Sequence, residues 1–168
     1  GRGLKRIREK RIVAMKNFED EFSAKQTDMI QLALEYADRV EQKVDTVYIY
    51  GSNEKNSYSF NIFYISENKI FTMHTLPRRD FDDLNNLIFH VLKIGTDDVK
   101  ELKKICEKYN QPMPTQIKLI YDNKQNKVKG KYSYDLFYSN SDTLTSGNIF
   151  EQWYNEVKEE IEGNHGTI

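Results

Sequence analysis

Three histidines, one cysteine and two short runs of aspartate have the widest chemical repertoire in this sequence. A zinc site needs three or four converging ligands. His74 falls at the end of a predicted strand, His90 inside a predicted helix and His165 in the tail, and nothing in their spacing brings them together. Cys106 lies on the apolar stripe of a predicted helix, which suits a small buried hydrophobe. A nucleophilic thiolate would need exposure and a nearby base. Asp80, Asp82 and Asp83 form one carboxylate run, Asp97 and Asp98 another. Acid–base work by such pairs needs convergence on one cleft with separated pKa values. Both runs instead fall in the first turns of predicted helices, where carboxylates meet the positive helix end. The eight scattered glycines form neither a phosphate-binding loop nor a nucleophile elbow. The expectation is a non-enzymatic protein with no metal and no cofactor.

Aromatic side chains are the abundant resource. Eleven tyrosines, nine phenylalanines and Trp153 make up 12% of the chain. Tyrosines alternate along the predicted strands as Tyr48 and Tyr50, Tyr58 and Tyr64, Tyr132 and Tyr134. With helices on one face of a sheet, its other face can stay open. Tyrosines lining such a face would offer large contact area at low entropic cost, as at protein interfaces. Asp45, Glu54, Glu67, Asp122 and Asp135 fall in or beside the same strands and would rim that surface with negative charge. The predicted protein-binding residues are Tyr48, Tyr50, Tyr58, Tyr134 and Asp135, with Trp153 as a structural residue.

The elements that must hold these residues follow from periodicity. Residues 4 to about 42 read as helix, either continuous or broken at the polar stretch Ser23 to Asp28. Strands are predicted over 44–50, 57–65 and 70–76, with Gly51, Ser52 and Asn53 as the first turn. Two helices follow, 81–93 with Asp80 as N-cap and 96–109 with Thr96 as cap, separated by Gly95 as a stop. Strands over 115–121 and 128–135 come next. The last helix runs over 149–162, opened by Asn148 and Glu151 at capping-box spacing. The fold class is α+β, a mostly antiparallel sheet of about five strands with helices on one face, in the order α-βββ-αα-ββ-α. Residues 23–163 form a single domain, 1–22 a basic helical arm that can be continuous with the next helix, and 164–168 a flexible tail.

Charge is unevenly placed. Arg2, Lys5, Arg6, Arg8, Lys10, Arg11 and Lys16 stand against Glu9 alone in the first 16 residues, a net of +6. The whole chain has a net charge of -1, so the remainder carries -7. Such an arm suits nucleic acid or anionic lipid, or simply the solvated side of a helix. Stacking aromatics are not interleaved with the cations, as single-strand binders need, so nucleic acid is not the expected partner. A helix of nearly 40 residues would overrun a domain of this size, which makes Ile7, Met15, Phe18 and Phe22 candidates for an interface with a second copy. Their packing on the chain's own sheet is the plainer expectation. No membrane-spanning run is present. The unpaired cysteine and the lack of a secretory h-region lead to an expectation of the cytoplasm.

The layout resembles the YezG-like family of bacterial immunity proteins. The likeness rests on the N-terminal helix leading into Val44-Asp45-Thr46-Val47-Tyr48-Ile49-Tyr50, the hairpin from Tyr58 to Leu76 followed by Pro77, and the late hairpin ending in Tyr132-Ser133-Tyr134-Asp135 before a helix with Trp153-Tyr154. These stretches span about residues 29 to 160. The basic stretch before residue 20 departs from the family pattern. The resemblance implies an antitoxin without enzymatic activity, which neutralises a secreted polymorphic toxin by tight one-to-one association. The implied partner is a cognate toxin, typically a nuclease with a basic surface, which the expected acidic, aromatic face would suit. An adaptor or oligomeric scaffold docking through the N-terminal helix is the alternative.

Overall fold

The computed structural model describes residues 2–77 and 82–163. The order is α1 (Arg2–Arg39), β1 (Thr46–Glu54), β2 (Ser57–Ser66), β3 (Lys69–Thr72), α2 (Leu84–Lys108), β4 (Gln116–Asp122), β5 (Lys127–Ser133) and α3 (Ser146–Ile161). The five strands form one antiparallel sheet in the order β3-β2-β1-β4-β5. The expected α+β class and five-stranded antiparallel sheet are therefore present.

Turn chemistry sets the registers. Lys55 and Asn56 both have positive φ, as do Glu67 and Asn68. Two-residue turns of that hand match the twist of antiparallel strands. The first hairpin thus turns after Glu54, and Gly51 to Asn53 lie inside β1, where a turn was expected. The third strand stops at Thr72 rather than Leu76, where Thr72 and Thr75 exchange side-chain and backbone hydrogen bonds.

Helix α1 takes the continuous one of its two expected forms, and α2 joins what was expected as two helices. Helix α1 runs unbroken through Ser23 to Asp28, some 57 Å for its 38 residues. Helix α2 is also single: Gly95 sits in its interior, and Thr96 donates to the Leu92 carbonyl rather than capping a new helix. The expected N-cap Asp80 and helix start Phe81 lie outside the described residues, as does the tail 164–168. Asp83 is the N-cap of α2, in a left-handed conformation. At α3 the capping box is Thr145 with Asn148, not Asn148 with Glu151.

Helices cover both faces of the sheet, which corrects the one-sided arrangement. On one face α1 and α2 bury Met29, Ala33, Tyr36, Val99 and Leu102 against Val47, Ile49, Ile62, Tyr64, Ile117 and Leu119. Buried hydroxyls stitch this layer together: Tyr64 donates to the Ala33 carbonyl at 2.6 Å and Tyr36 to the Met73 carbonyl at 2.5 Å. On the other face α3 lays Ile149, Phe150, Trp153 and Val157 over Tyr48, Tyr50, Phe63, Ile65 and Ile70. Each apolar stripe has thus found its own side of the sheet.

Candidate functional site

The second core removes two predicted contact residues from the surface. Tyr48 is 8% exposed and Tyr50 1%. Tyr48 stacks on Phe63 with ring centroids 4.4 Å apart and meets the edge of Trp153 at 5.6 Å. Burial pushes the Tyr50 hydroxyl up to about 12. Both alternate to the side that α3 covers, so they are core residues rather than anchors. Tyr58 is half-buried beside the first hairpin, with the Lys100 and Lys103 ammonium groups of α2 at 5.8 and 5.7 Å from its ring.

The carboxylate rim is mostly engaged inside the fold. Asp45 pairs with Lys124 at 3.5 Å and accepts the Glu67 N–H at 3.0 Å. Asp122 accepts the N–H groups of Lys124 and Gln125, holding the β4–β5 turn. Glu54 is buried and accepts from the segment 137–139.

Tyr134 and Asp135 remain exposed, and they stand beside a cleft that the sequence reading did not assemble. Tyr134 is 58% exposed and Tyr132, at the end of edge strand β5, is 42% exposed. With Phe18, Glu19, Phe22, Ser23 and Gln26 of α1 and Pro112 and Pro114 of the α2–β4 connection, they line a cavity of about 250 Å³. Gln26 donates to the Tyr132 hydroxyl at 2.6 Å, and Phe22 meets the Tyr132 ring edge-on at 6.0 Å. Phe18 lies 5.4 Å from Phe22 and 5.9 Å from Tyr109. Phe18, Phe22 and Tyr132 are therefore an aromatic wall held by mutual contacts, with Glu19 also in the lining. The available signal for this cleft was a helical stripe too long for the domain, Phe18 and Phe22, together with Pro112-Met113-Pro114 aligning a loop beside it.

At the same end α1 leaves the domain. The last turn of α2 is tied to it by Lys108 and Glu21 at 3.0 Å and by the Tyr109 hydroxyl donating to Glu21. Beyond that crossing, residues 2–17 are all exposed, including Leu4, Ile7, Ile12, Val13 and Met15. Of the predicted interface residues, Phe18 and Phe22 pack on the domain while Ile7 and Met15 do not. Arg11, Ala14, Met15 and Phe18 form one wall of a second depression, opposite Tyr109, Asn110 and Gln111.

The side chains with chemical potential do not converge. Among the described residues there is no group of three or more His, Cys, Asp and Glu placed to hold a metal ion. Cys106 is buried, its Sγ 3.8 Å from Met113 Sδ, and burial pushes its thiol up. Asp97 and Asp98 lie in the middle of α2, so the stabilising helix end expected for them is absent. Burial raises Asp98 to about 6, opposed by Lys25 at 3.8 Å and reinforced by Asp28, Asp97 and Glu101. A raised carboxylate pKa means the folded state holds the proton more tightly. Its contribution to stability is present at low pH and is lost as pH rises from the usual aspartate range through about 6. Asp98→Asn is expected to raise stability at pH 8 by about 1–2 kcal/mol, allowing for solvent screening, and to flatten the pH dependence across that window. Urea unfolding at several pH values measures both; an unchanged pH profile would refute the assignment.

No known family model matches the chain, and no curated protein matches it. No helix among the described residues is long and apolar enough to cross a membrane.

Proposed function

We propose that this chain is an immunity protein that binds a secreted bacterial toxin and neutralises it by tight association. The observation that carries the reading is the aromatic cleft formed by Phe18, Phe22, Tyr132 and Tyr134 with two prolines, open to solvent while the other strand tyrosines are buried or half-buried. Hot spots of protein interfaces are enriched in such rings, which offer large contact area with little rotamer entropy to lose. Glu19 in its lining favours a partner with a cationic group beside an apolar anchor. A nuclease domain, which must hold phosphates, carries such groups.

The test is toxin neutralisation. Proteins captured from the native cells by the tagged chain are expressed alone, and any toxic one is titrated against variants of this protein. Tyr134→Ala and Tyr132→Ala are expected to weaken binding by at least about 2 kcal/mol, roughly 30-fold, with loss of protection. Tyr48→Phe, altered only in the second core, should bind like the parent. Full protection by both cleft variants would remove the docking site. A non-toxic partner would remove the immunity reading itself.

A further inference from the structure

The exposed arm of α1 and the outer face of α3 are complementary in charge. The arm carries Arg2, Lys5, Arg6, Arg8, Lys10 and Arg11, with Glu9 as the acidic residue among them. On α3, Glu156, Glu159 and Glu160 line an open depression of about 620 Å³ with Gln152 and Asn155. Glu162 follows at the C-cap. Lys158 is the cation of that last turn, against this concentration of carboxylates at the negative pole.

The two surfaces cannot meet within one molecule. Helix α1 is continuous to Arg39, with its C-terminal half packed on one face of the sheet, while α3 packs on the other. Two arms do not suit each other, since each brings a net of +6 over its first 16 residues. A flat bilayer fits poorly as well. Leu4, Ile7 and Met15 continue the stripe of Phe18, Phe22 and Met29, so the arm turns its apolar side toward the side on which the body hangs.

We infer that the arm docks on the α3 outer face of a second copy of this chain, reciprocally in a dimer. Arg8 and Arg11 flank or interrupt the stripe of Leu4, Ile7 and Met15. Their aliphatic stems, with those of the α3 glutamates and glutamine, cover that apolar strip while the charged ends pair at its edges. An arm of about 22 Å covers roughly 300–350 Å² of a facing helix. Two reciprocal contacts bury roughly 1,300 Å² in all, inside the range of specific interfaces. Opposed charge makes the association salt-sensitive.

Sedimentation equilibrium of the full chain tests this. The expected mass is that of two chains at about 50 mM salt, with association weakened by roughly tenfold or more on going to about 500 mM. The double variant Arg8→Glu with Arg11→Glu, and separately Glu156→Lys with Glu159→Lys, should each sediment as single chains at low salt. An equimolar mixture of the two variants should restore the dimer, because each reversed arm then faces a reversed α3. A single-chain mass for the parent at low salt overturns the inference, whether or not that chain binds a duplex of about 20 base pairs or anionic vesicles. So does a dimer that survives in both variants, or a mixture that stays monomeric.

Discussion

Glu54→Ala is expected to destabilise the protein by about 3–5 kcal/mol, lowering the thermal midpoint by about 10 °C. The side chain is 2% exposed at the end of β1. Its Oε2 accepts the Phe137 N–H at 3.0 Å. Its Oε1 accepts the Ser139 N–H at 3.1 Å, the Ser139 hydroxyl at 2.7 Å and, at 3.4 Å, the Tyr138 N–H. Alanine would leave several buried donors without an acceptor. It would also release the segment that brings Tyr138 to within 2.7 Å of the Ser52 hydroxyl, at the rim of the α3-side core. Burial pushes the Glu54 pKa up, but the bonds from Ser139, Phe137 and Tyr138 outweigh it and hold the carboxyl below the usual glutamate range. The stability it contributes is present above the unfolded-state pKa and is lost as pH falls through the lower folded-state value. Glu54→Gln, which preserves shape and one acceptor, should lose less and should flatten the acid limb of the stability curve. Thermal unfolding of both variants between pH 3 and 7 provides the check. Equal stability of Glu54→Ala and the parent at pH 7 would show that this carboxylate does not hold the segment.

The Glu54 contacts also mark the limit of what the sequence could disclose. Residues 54 and 137–139 are more than 80 positions apart, and no local pattern relates them. A glutamate next to a strand was read as part of an exposed rim because solvent is the default for a carboxylate. Local features fared better. The alternation of Tyr48 and Tyr50 against Val47 and Ile49 placed the two pairs on opposite faces, as found. The error lay in leaving one face open. The segment Thr46-Val47-Tyr48-Ile49-Tyr50 is apolar on both sides, the mark of a strand covered twice. Helix α3 also carries its own stripe of Ile149, Phe150, Trp153 and Val157, which needed a surface once α1 and α2 had filled the other face. The docking cleft was legible only in fragments. Phe18 and Phe22 stood out as unplaced apolar residues and Tyr134 as an aromatic near a turn, but their meeting depends on where the Pro112-Met113-Pro114 connection crosses α1.

Gly95→Ala is the second large effect, and it runs against helix propensity. In a helix interior alanine is ordinarily worth about 1 kcal/mol more than glycine. Here a Cβ would stand 2.1 Å from Phe60 Cδ1 and 2.3 Å from Cε1, with the ring itself buried in β2. The ring must move into a filled core or α2 must lift from the sheet. A net loss of about 2–3 kcal/mol is expected, overpacking outweighing the propensity gain. Gly95→Ala combined with Phe60→Leu makes room for the added methyl, and should recover much of that loss relative to the sum of the single changes. Urea midpoints of the four proteins in this cycle decide it: additivity would mean that the glycine and the ring are not in conflict. A glycine read as a helix stop is therefore a point of close approach between helix and strand.

The placement of Trp153 makes the two faces of the sheet separately observable. It is the chain's single tryptophan, it projects from α3 against Tyr48 and Phe63 of the sheet, and the Lys118 ammonium stands 5.1 Å from its ring. Its emission reports whether α3 is seated, and the neighbouring tyrosines feed it by energy transfer. Most of the helical backbone belongs to α1 and α2 on the opposite face, and dominates the far-ultraviolet dichroism. Coincident melting by the two signals would mean that the sheet holds both layers as one cooperative unit. An earlier fluorescence transition would mean that α3 peels away first, opening the strand tyrosines to solvent while the helical pair stays in place.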